Sequence, residues 1–428
     1  MAEKRRVLNN AKWIIVCKIV QALLQFVIGM LCARYLGPSN YGLISYAESI
    51  VAFVLPLMQL GLPSTLVQEF TESPENEGKI MGTSLVMNLV SGLASIMLVG
   101  GFVALTNASD AEKIIVCLLF SVSLLFRAFE LFQCWFQFKL LSKLPSIVML
   151  ISYVIVSAYR VFLLVTAKNI FWFAVVNSID YGIIGFSLLY LFGKNSEHKL
   201  SFDIKYVKLL FSRSKFYIIA AMMVTIFQNT DHIMLTNMVG EGENGFYKAA
   251  VTCATIAQFV YVAIIDSMRP VILAHKKDND ESYEKNLSRL YCIIIYLALA
   301  QAVGFTLFSN LIINILYGES YLASVPVLQI LVWYMVFACI GSVRNVWILA
   351  ENKQSMLWKI NLAGALLNIL INSILIPFWG AAGAAFATLT TQIFTNLILG
   401  FIVKPLRANN KILIRGLNPK LLLDIFKK

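Results

Sequence analysis

The hydrophobic positions of this chain fall in long runs, without the alternation of half-buried strands or of surface helices. Ile80 to Ser109, Leu290 to Gly318 and Leu322 to Val343 each contain no Asp, Glu, Lys or Arg. Each reaches the roughly 20 residues that cross a hydrocarbon core about 30 Å thick. The charge-free run from Ile360 to Val403 is about twice that length, with Pro377 and Gly380 near its middle. At about 1.5 Å per residue it is too long for one crossing, and the Pro/Gly punctuation predicts a helical hairpin there. Apolar runs set against charged breaks predict spans at 13–35, 43–67, 80–106, 112–138, 144–167, 170–193, 214–238, 246–273, 287–317, 322–350, 355–376 and 380–403. The expected fold class is therefore an all-α integral membrane protein with about twelve transmembrane helices.

Composition agrees. Hydrophobic residues are 59% of 428 and charged residues only 14%, against about 25% charge in a soluble domain. Lys and Arg are distributed unevenly, and cytoplasmic loops carry the excess of these residues. With the N-terminus cytoplasmic, inside segments hold 27 of the 35 basic residues, and outside connections hold Arg34, Lys113, Lys168 and Lys248. The remaining four, Lys18, Arg127, Arg160 and Arg344, lie at membrane depth. Both termini are thus expected inside. The net charge of +12 is explained by topology, with attraction to anionic lipid headgroups as a second consequence; nucleic acid is not needed to account for it.

Some chemistries find no support. The basic start (Lys4, Arg5, Arg6) precedes an apolar stretch that Lys12 and Lys18 interrupt, and no small-residue cleavage site follows, so it reads as an uncleaved first helix. The seven cysteines fall in predicted helices without a C-x-x-C pair, which supports neither a disulfide framework nor zinc. No phosphate-binding G-x-x-x-x-G-K-[S/T] loop is present. Asp278-Asn-Asp280 resembles the metal-binding D-x-D of some sugar transferases, but it sits in a short charged linker. No cofactor and no metal are expected.

Tyr35-Leu-Gly37-Pro-Ser-Asn-Tyr-Gly42 follows the first span and Met238-Val-Gly240-Glu-Gly-Glu-Asn-Gly245 the seventh, at an offset of 203 residues (240 − 37 and 245 − 42). That is close to half the chain. It predicts two six-helix lobes inserted the same way up, as parallel repeats: residues 1–200 and 201–403, followed by a basic cytoplasmic tail, 404–428. The tail ends in an apolar stretch, Leu421 to Phe426, that could form an interfacial helix.

Charges at membrane depth cost at least a few kcal/mol each and usually face a cavity or a partner. Lys18, Gln21 and Gln25 share one face of the first helix, and Arg34 lies at its end. Arg127 and Glu130 are three apart in the fourth span and can neutralise one another. Asp266 and Arg269 repeat that spacing near the inner end of the eighth, where water is close. Arg160 and Asp180 lie on neighbouring helices. Asp231 and His232 belong to a polar cluster in the seventh span, Glu48 and Lys248 follow the two Gly-x4-Gly turns, and Arg344 is in the tenth span. Lys18, Arg34, Arg127, Arg160, Lys248, Arg269 and Arg344 are the candidates for attracting an anionic headgroup. Glu48, Glu130, Asp180, Asp231, His232 and Asp266 are the candidates for coupling an ion, because a desolvated carboxylate can take up and release protons as access alternates.

Ala33-Arg-Tyr-Leu-Gly-Pro-Ser-Asn-Tyr-Gly42, Asn229-Thr-Asp-His-Ile-Met-Leu235, the turn Val239 to Ala250, and Ile376-Pro-Phe-Trp-Gly-Ala-Ala-Gly-Ala-Ala385 resemble polysaccharide-biosynthesis flippases of the Wzx type, in the multidrug/oligosaccharidyl-lipid/polysaccharide (MOP) exporter superfamily. The resemblance covers essentially the whole chain. It implies a MATE-like V of two lobes in a bacterial inner membrane, with a cation-lined lumen and ion-coupled antiport. The implied cargo is an undecaprenyl-pyrophosphate-linked oligosaccharide, typically an O-antigen unit. The implied partners are that lipid-linked saccharide, a coupling proton or cation, membrane lipids, and other polysaccharide-assembly membrane proteins. A multidrug cation antiporter of the same superfamily would need a cavity dominated by acidic and aromatic groups. A membrane polymerase or sugar transferase would need a sizeable extracytoplasmic loop, and every outside connection here is short.

Overall fold

The computed structural model describes the backbone of residues 2–277 and 282–421, and the side chains of 20–276 and 282–421. Among these residues the structure is helical throughout, with no strand. The main helices are α1 (Ala2–Gln59), α2 (Glu77–Thr106), α3 (Ala111–Phe138), α4 (Lys143–Val165), α5 (Ile170–Asn195), α6 (Ile204–Val239), α7 (Glu241–Ala254), α8 (Gln258–Lys277), α9 (Ser282–Tyr317), α10 (Ser324–Ala350), α11 (Leu357–Ile393, continuing to Ile402) and α12 (Arg407–Gly416). Among the described residues, nine helical stretches are long and apolar enough to cross a membrane, and ten if α7 and α8, bent by 43° at residues 255–257, count as one. Two of these stretches, Val20–Gln59 and Gln354–Ile402, run to 40 and 49 residues and are broken at Gly37 and Gly380. Each is about 60 Å or longer, twice a hydrocarbon core. Taken as two crossings each, they complete the expected twelve.

The two repeat glycines adopt the same backbone. Gly37 has φ 74°, ψ 171° and Gly240 has φ 110°, ψ 171°. Both combine positive φ with extended ψ, a region essentially closed to residues with a Cβ. The chain therefore turns sharply at the same place in each copy of the motif. The second crossing ends at Gln59, short of the expected residue 67. Leu60 and Gly61 are left-handed (φ 52° and 68°), and Leu62–Ser64 and Leu66–Glu72 continue as separate short helices.

The faces of α2 show the solvent for which the fold is built. Ser84, Asn88, Gly92 and Ser95 point into the protein, whereas Val86, Val90, Leu93 and Met97 are exposed. Small and polar residues inside with large apolar ones outside is the arrangement of a helix packed in lipid. This is a multi-pass membrane protein.

The chain groups into two compact units, Met1–Asn229 and Thr230–Lys428. The division falls within α6, some thirty residues beyond the expected boundary at 200/201, because the first turns of α6 pack on the first unit. Arg213 donates to Glu69 Oε1 at 2.7 Å and to Glu72 Oε2 at 2.6 Å. A Cβ on Gly61 would come within 3.1 Å of Tyr217 Cβ. Among the described residues the first unit gathers two apolar cores. One gathers Ile28, Cys32, Leu36, Val156, Phe173 and Val176; the other gathers Phe70, Phe132, Trp135, Leu188 and Phe192 with their neighbours. In the second unit α9 packs along α10, and Ala381, Gly383, Ala384, Ala385 and Ala387 form a buried small-residue stripe on α11.

Candidate functional site

Along α5 the two cores of the first unit bracket a polar level at Asp180 and Tyr181. Asp180 Oδ1 accepts from Ser152 Oγ on α4 at 2.7 Å. At the same level α3 is not continuous: residues Ala128–Leu131 form a 3-10 turn between the short helices Ser123–Arg127 and Phe132–Phe138. Mid-helix 3-10 turns often mark hinges, and this one presents Arg127 and Glu130. Arg127 Nε donates to Glu130 Oε2 at 3.2 Å, with both side chains about four-fifths buried. The Arg127 guanidinium also lies 4.4 Å from the centre of the Tyr181 ring, a cation–π contact. Arg160 and Glu48, both half-buried, act electrostatically on the same group: Arg160 on Asp180 and Tyr153, Glu48 on Tyr153 and Tyr181. The first unit thus brings together two arginines and three carboxylates, Glu48, Glu130 and Asp180.

The second unit holds a different site. Asp231 is buried on α6, and all of its hydrogen-bond partners among the described residues are neutral. Its Oδ2 accepts from Tyr247 Oη and Thr388 Oγ1, each at 2.6 Å, and its Oδ1 from Asn372 Nδ2 at 2.6 Å. Asn372 also donates to Asn368 Oδ1 at 3.0 Å, while its own Oδ1 is buried without a donor. Next door, His232 Nδ1 lies 2.6 Å from Asn244 Oδ1, and its ring packs edge-on to Tyr247. A buried carboxylate with no counter-charge among the described residues, flanked by two hydroxyl oxygens and by the Asn368 and Asn372 side chains, offers oxygen atoms of the kind a small hard cation takes. It equally suits a proton.

Arg344 on α10 is 5% exposed. It donates from Nη1 to the Thr395 carbonyl at 2.6 Å, its Nε has no partner, and no carboxylate pairs with it among the described residues. The carbonyl is available because residues Phe394–Ile398 form a π-helical turn, which takes backbone groups out of the α register. Asn410 Nδ2 binds a second carbonyl of that turn, Leu397 O, at 3.1 Å.

Residues 7–276 match the polysaccharide biosynthesis protein family, more than half of the chain. The chain belongs to this family. Among full-length relatives it is 20% identical to the lipopolysaccharide biosynthesis protein WzxC of Escherichia coli K12, over 96% of this chain and 83% of WzxC. It is 21% identical to the capsular polysaccharide biosynthesis protein CapF of Staphylococcus aureus, over 91% and 97%. An uncharacterized membrane protein of Methanocaldococcus jannaschii, MJ1068, is 30% identical over 50% of this chain. The match spans only 42% of that archaeal protein's length. The fold is that of the lipid II flippase MurJ in an inward closed conformation (TM-score 0.72, 19% identity, 96% of this chain and 92% of MurJ). It is also that of an inward-facing multidrug resistance MATE family transporter of the MOP superfamily (TM-score 0.69, 13% identity, 91% and 95%). The family membership agrees with the resemblance read from the motifs, and the fold is the one shared by MurJ and that MATE transporter.

Within this polysaccharide biosynthesis family member, the structure gathers some of the predicted residues and not others. Arg127, Glu130, Asp180, Arg160 and Glu48 meet in the first unit; Asp231 and His232 anchor the second. Asp180 takes its hydrogen bond from Ser152, and no ion pair joins it to Arg160 among the described residues. Asp266 and Arg269 pair at 2.9 Å on α8, with side chains about half exposed. Arg34 is exposed and Lys248 half-buried. The Lys18 side chain, Asp278, Asp280 and 422–426 of the expected interfacial stretch lie outside the described residues. Tyr247, Asn368, Asn372, Thr388 and Tyr181 are neutral, so charge along the chain does not point to them. The available signal was two asparagines four residues apart in a charge-free run. Glu77, which follows Glu69, Glu72 and Glu75 in an acidic segment, accepts at Oε2 from Trp135 Nε1 at 2.7 Å, and Lys139 pairs with the same carboxylate.

Proposed function

We propose that this protein translocates an undecaprenyl-pyrophosphate-linked oligosaccharide, an O-antigen-type unit, from the cytoplasmic to the periplasmic leaflet of a bacterial inner membrane, coupled to the movement of a proton or small cation. One observation carries the reading: the second unit buries a carboxylate, Asp231, and a guanidinium, Arg344, neither with a counter-charge among the described residues. An ion taken up at Asp231 lowers the cost of keeping that charge desolvated, which links ion occupancy to conformation. In the first unit Arg127 is held by Glu130. A proton on Glu130 would release the guanidinium for a pyrophosphate oxygen, a group that arginine binds in bidentate fashion. Membership of the polysaccharide biosynthesis family and the likeness to WzxC and CapF support the saccharide cargo; the likeness to MurJ supports a lipid-linked one.

A second reading, export of organic cations as in the MATE family, draws on the excess of carboxylates over arginines in the first unit. Deletion of the chromosomal gene separates the two. Under the flippase reading, lipid-linked saccharide accumulates on the cytoplasmic leaflet and surface polysaccharide falls, and both recover with the wild-type chain. Unchanged surface polysaccharide together with heightened sensitivity to cationic dyes would support the second reading instead.

A further inference from the structure

We propose that the cleft between the first turns of α9 and the C-terminal segment is a binding site for the phosphodiester headgroup of an anionic membrane lipid. The cleft has a volume of about 550 Å³. Lys285 and Arg415 supply positive charge, Ser288 and Asn418 supply polar groups, and Ile414 and Leu421 give it an apolar wall. Glu284, the one carboxylate among its described lining residues, holds Arg415 Nη1 at 2.5 Å. That contact occupies one of the five N–H donors of the guanidinium and leaves the others available to a phosphate. Lys285 leaves the cleft with a net positive charge.

The surroundings carry the same chemistry outward. Arg407, Lys411 and Arg415 recur every fourth residue and form one exposed basic stripe on α12. Ile414 and Leu417, each about half exposed, lie beside it. The opposite face, Asn409, Asn410, Ile412 and Leu413, is buried. Basic pockets at the ends of membrane helices and basic amphipathic helices are the usual recognition elements for anionic headgroups. The apolar residues beside the cations suit a lipid better than a free polar anion. The site also sits where α9 enters its apolar run, about one turn from Leu287 and Leu290, which are both fully buried.

The cleft is fixed before any ligand arrives. Tyr291 Oη donates to Asn409 Oδ1 at 2.8 Å, Ser288 Oγ to Ile412 O at 3.3 Å and Tyr296 Oη to Leu417 O at 2.9 Å. Gly416 lies so close to α9 that a Cβ there would meet Tyr291 Cβ at 2.7 Å. Such preorganisation lowers the ordering cost of binding.

The test compares thermal unfolding of the full chain in nanodiscs of phosphatidylcholine alone and in discs containing phosphatidylglycerol. The wild type is expected to gain roughly 3 °C or more in Tm with phosphatidylglycerol, and the K285Q/R415Q variant less than half of that gain. K285Q alone, which leaves the Glu284–Arg415 pair intact, should show an intermediate gain, and it serves as the test if the double variant does not fold. Equal gains in wild type and K285Q would overturn the proposal. So would an equal shift from inorganic phosphate added to phosphatidylcholine discs, which would make the cleft a free-phosphate site.

Discussion

Asn372 Nδ2 donates to Asp231 Oδ1 at 2.6 Å, and this contact closes a ring of neutral donors around a carboxylate that has no cationic partner among the described residues. Asp231→Asn removes the charge and keeps the shape, so the fold should persist while dependence of transport on the ion gradient disappears. Asp231→Ala strands the Tyr247, Thr388 and Asn372 donors and should cost about 1–3 kcal/mol for each group left without a partner. Transport driven by imposed proton or sodium gradients, measured beside thermal unfolding for both variants, checks this. Retained ion dependence in Asp231→Asn would remove the site from the coupling mechanism.

The Arg127–Glu130 pair in the first unit predicts a non-additive pattern. Removing one partner of a mostly buried pair leaves an uncompensated charge and should cost roughly 3–5 kcal/mol, whereas removing both costs much less. Arg127→Ala and Glu130→Ala should therefore each destabilise more than the double variant, read by thermal unfolding in a double-mutant cycle. Additive effects would mean that the two charges do not depend on one another.

The long apolar runs made the helices, their class and their approximate ends legible in the sequence, and the Gly-x4-Gly offset located the pair of sharp turns at Gly37 and Gly240. The tertiary partners were not legible. Nothing in a linear pattern says that Thr388 and Asn372 converge on Asp231, since they lie 157 and 141 residues away. Nor does hydropathy distinguish an α turn from the 3-10 turn at Ala128–Leu131 or the π turn at Phe394–Ile398; these deviations depend on what the freed backbone groups meet in space. Charge pointed to Arg127, Glu130 and Asp231. The neutral residues that define their chemistry required the fold.

Arg344 sets stability against function. The desolvation of an unpaired guanidinium costs several kcal/mol, more than the roughly 1–3 kcal/mol lost if the Thr395 carbonyl goes without its donor. Arg344→Met should therefore leave Tm unchanged or raise it, and at the same time lower transport about tenfold or more. A clear fall in Tm with transport intact would mark Arg344 as a structural clamp on the π turn.

The tether at the start of α6 should loosen in acid. A hydrogen bond from Gln68, and then the contact with Arg213, lower the Glu72 pKa below its ordinary 4.5. Because the folded-state value is the lower one, the contribution of Glu72 is fully present above about pH 4.5 and is lost as pH falls through the folded-state value. Hydrogen-exchange protection across residues 204–213, taken relative to the intrinsic rate at each pH, should fall below that pH in the wild type. In Glu72→Gln this acid-dependent contribution should be absent, leaving a shallower pH response. An identical pH response in both proteins would contradict the assignment.

Reconstitution can show whether this chain moves a lipid-linked saccharide and couples that movement to an ion. Purified protein in liposomes carrying a fluorescent undecaprenyl-pyrophosphate-linked oligosaccharide tests it most directly, with leaflet exchange read by a membrane-impermeant quencher under an imposed proton or sodium gradient. Wild type is expected to give gradient-dependent exchange, and folded Asp231→Asn exchange that no longer responds to the gradient. Wild-type exchange no faster than in protein-free liposomes, or exchange indifferent to the gradient, would contradict it.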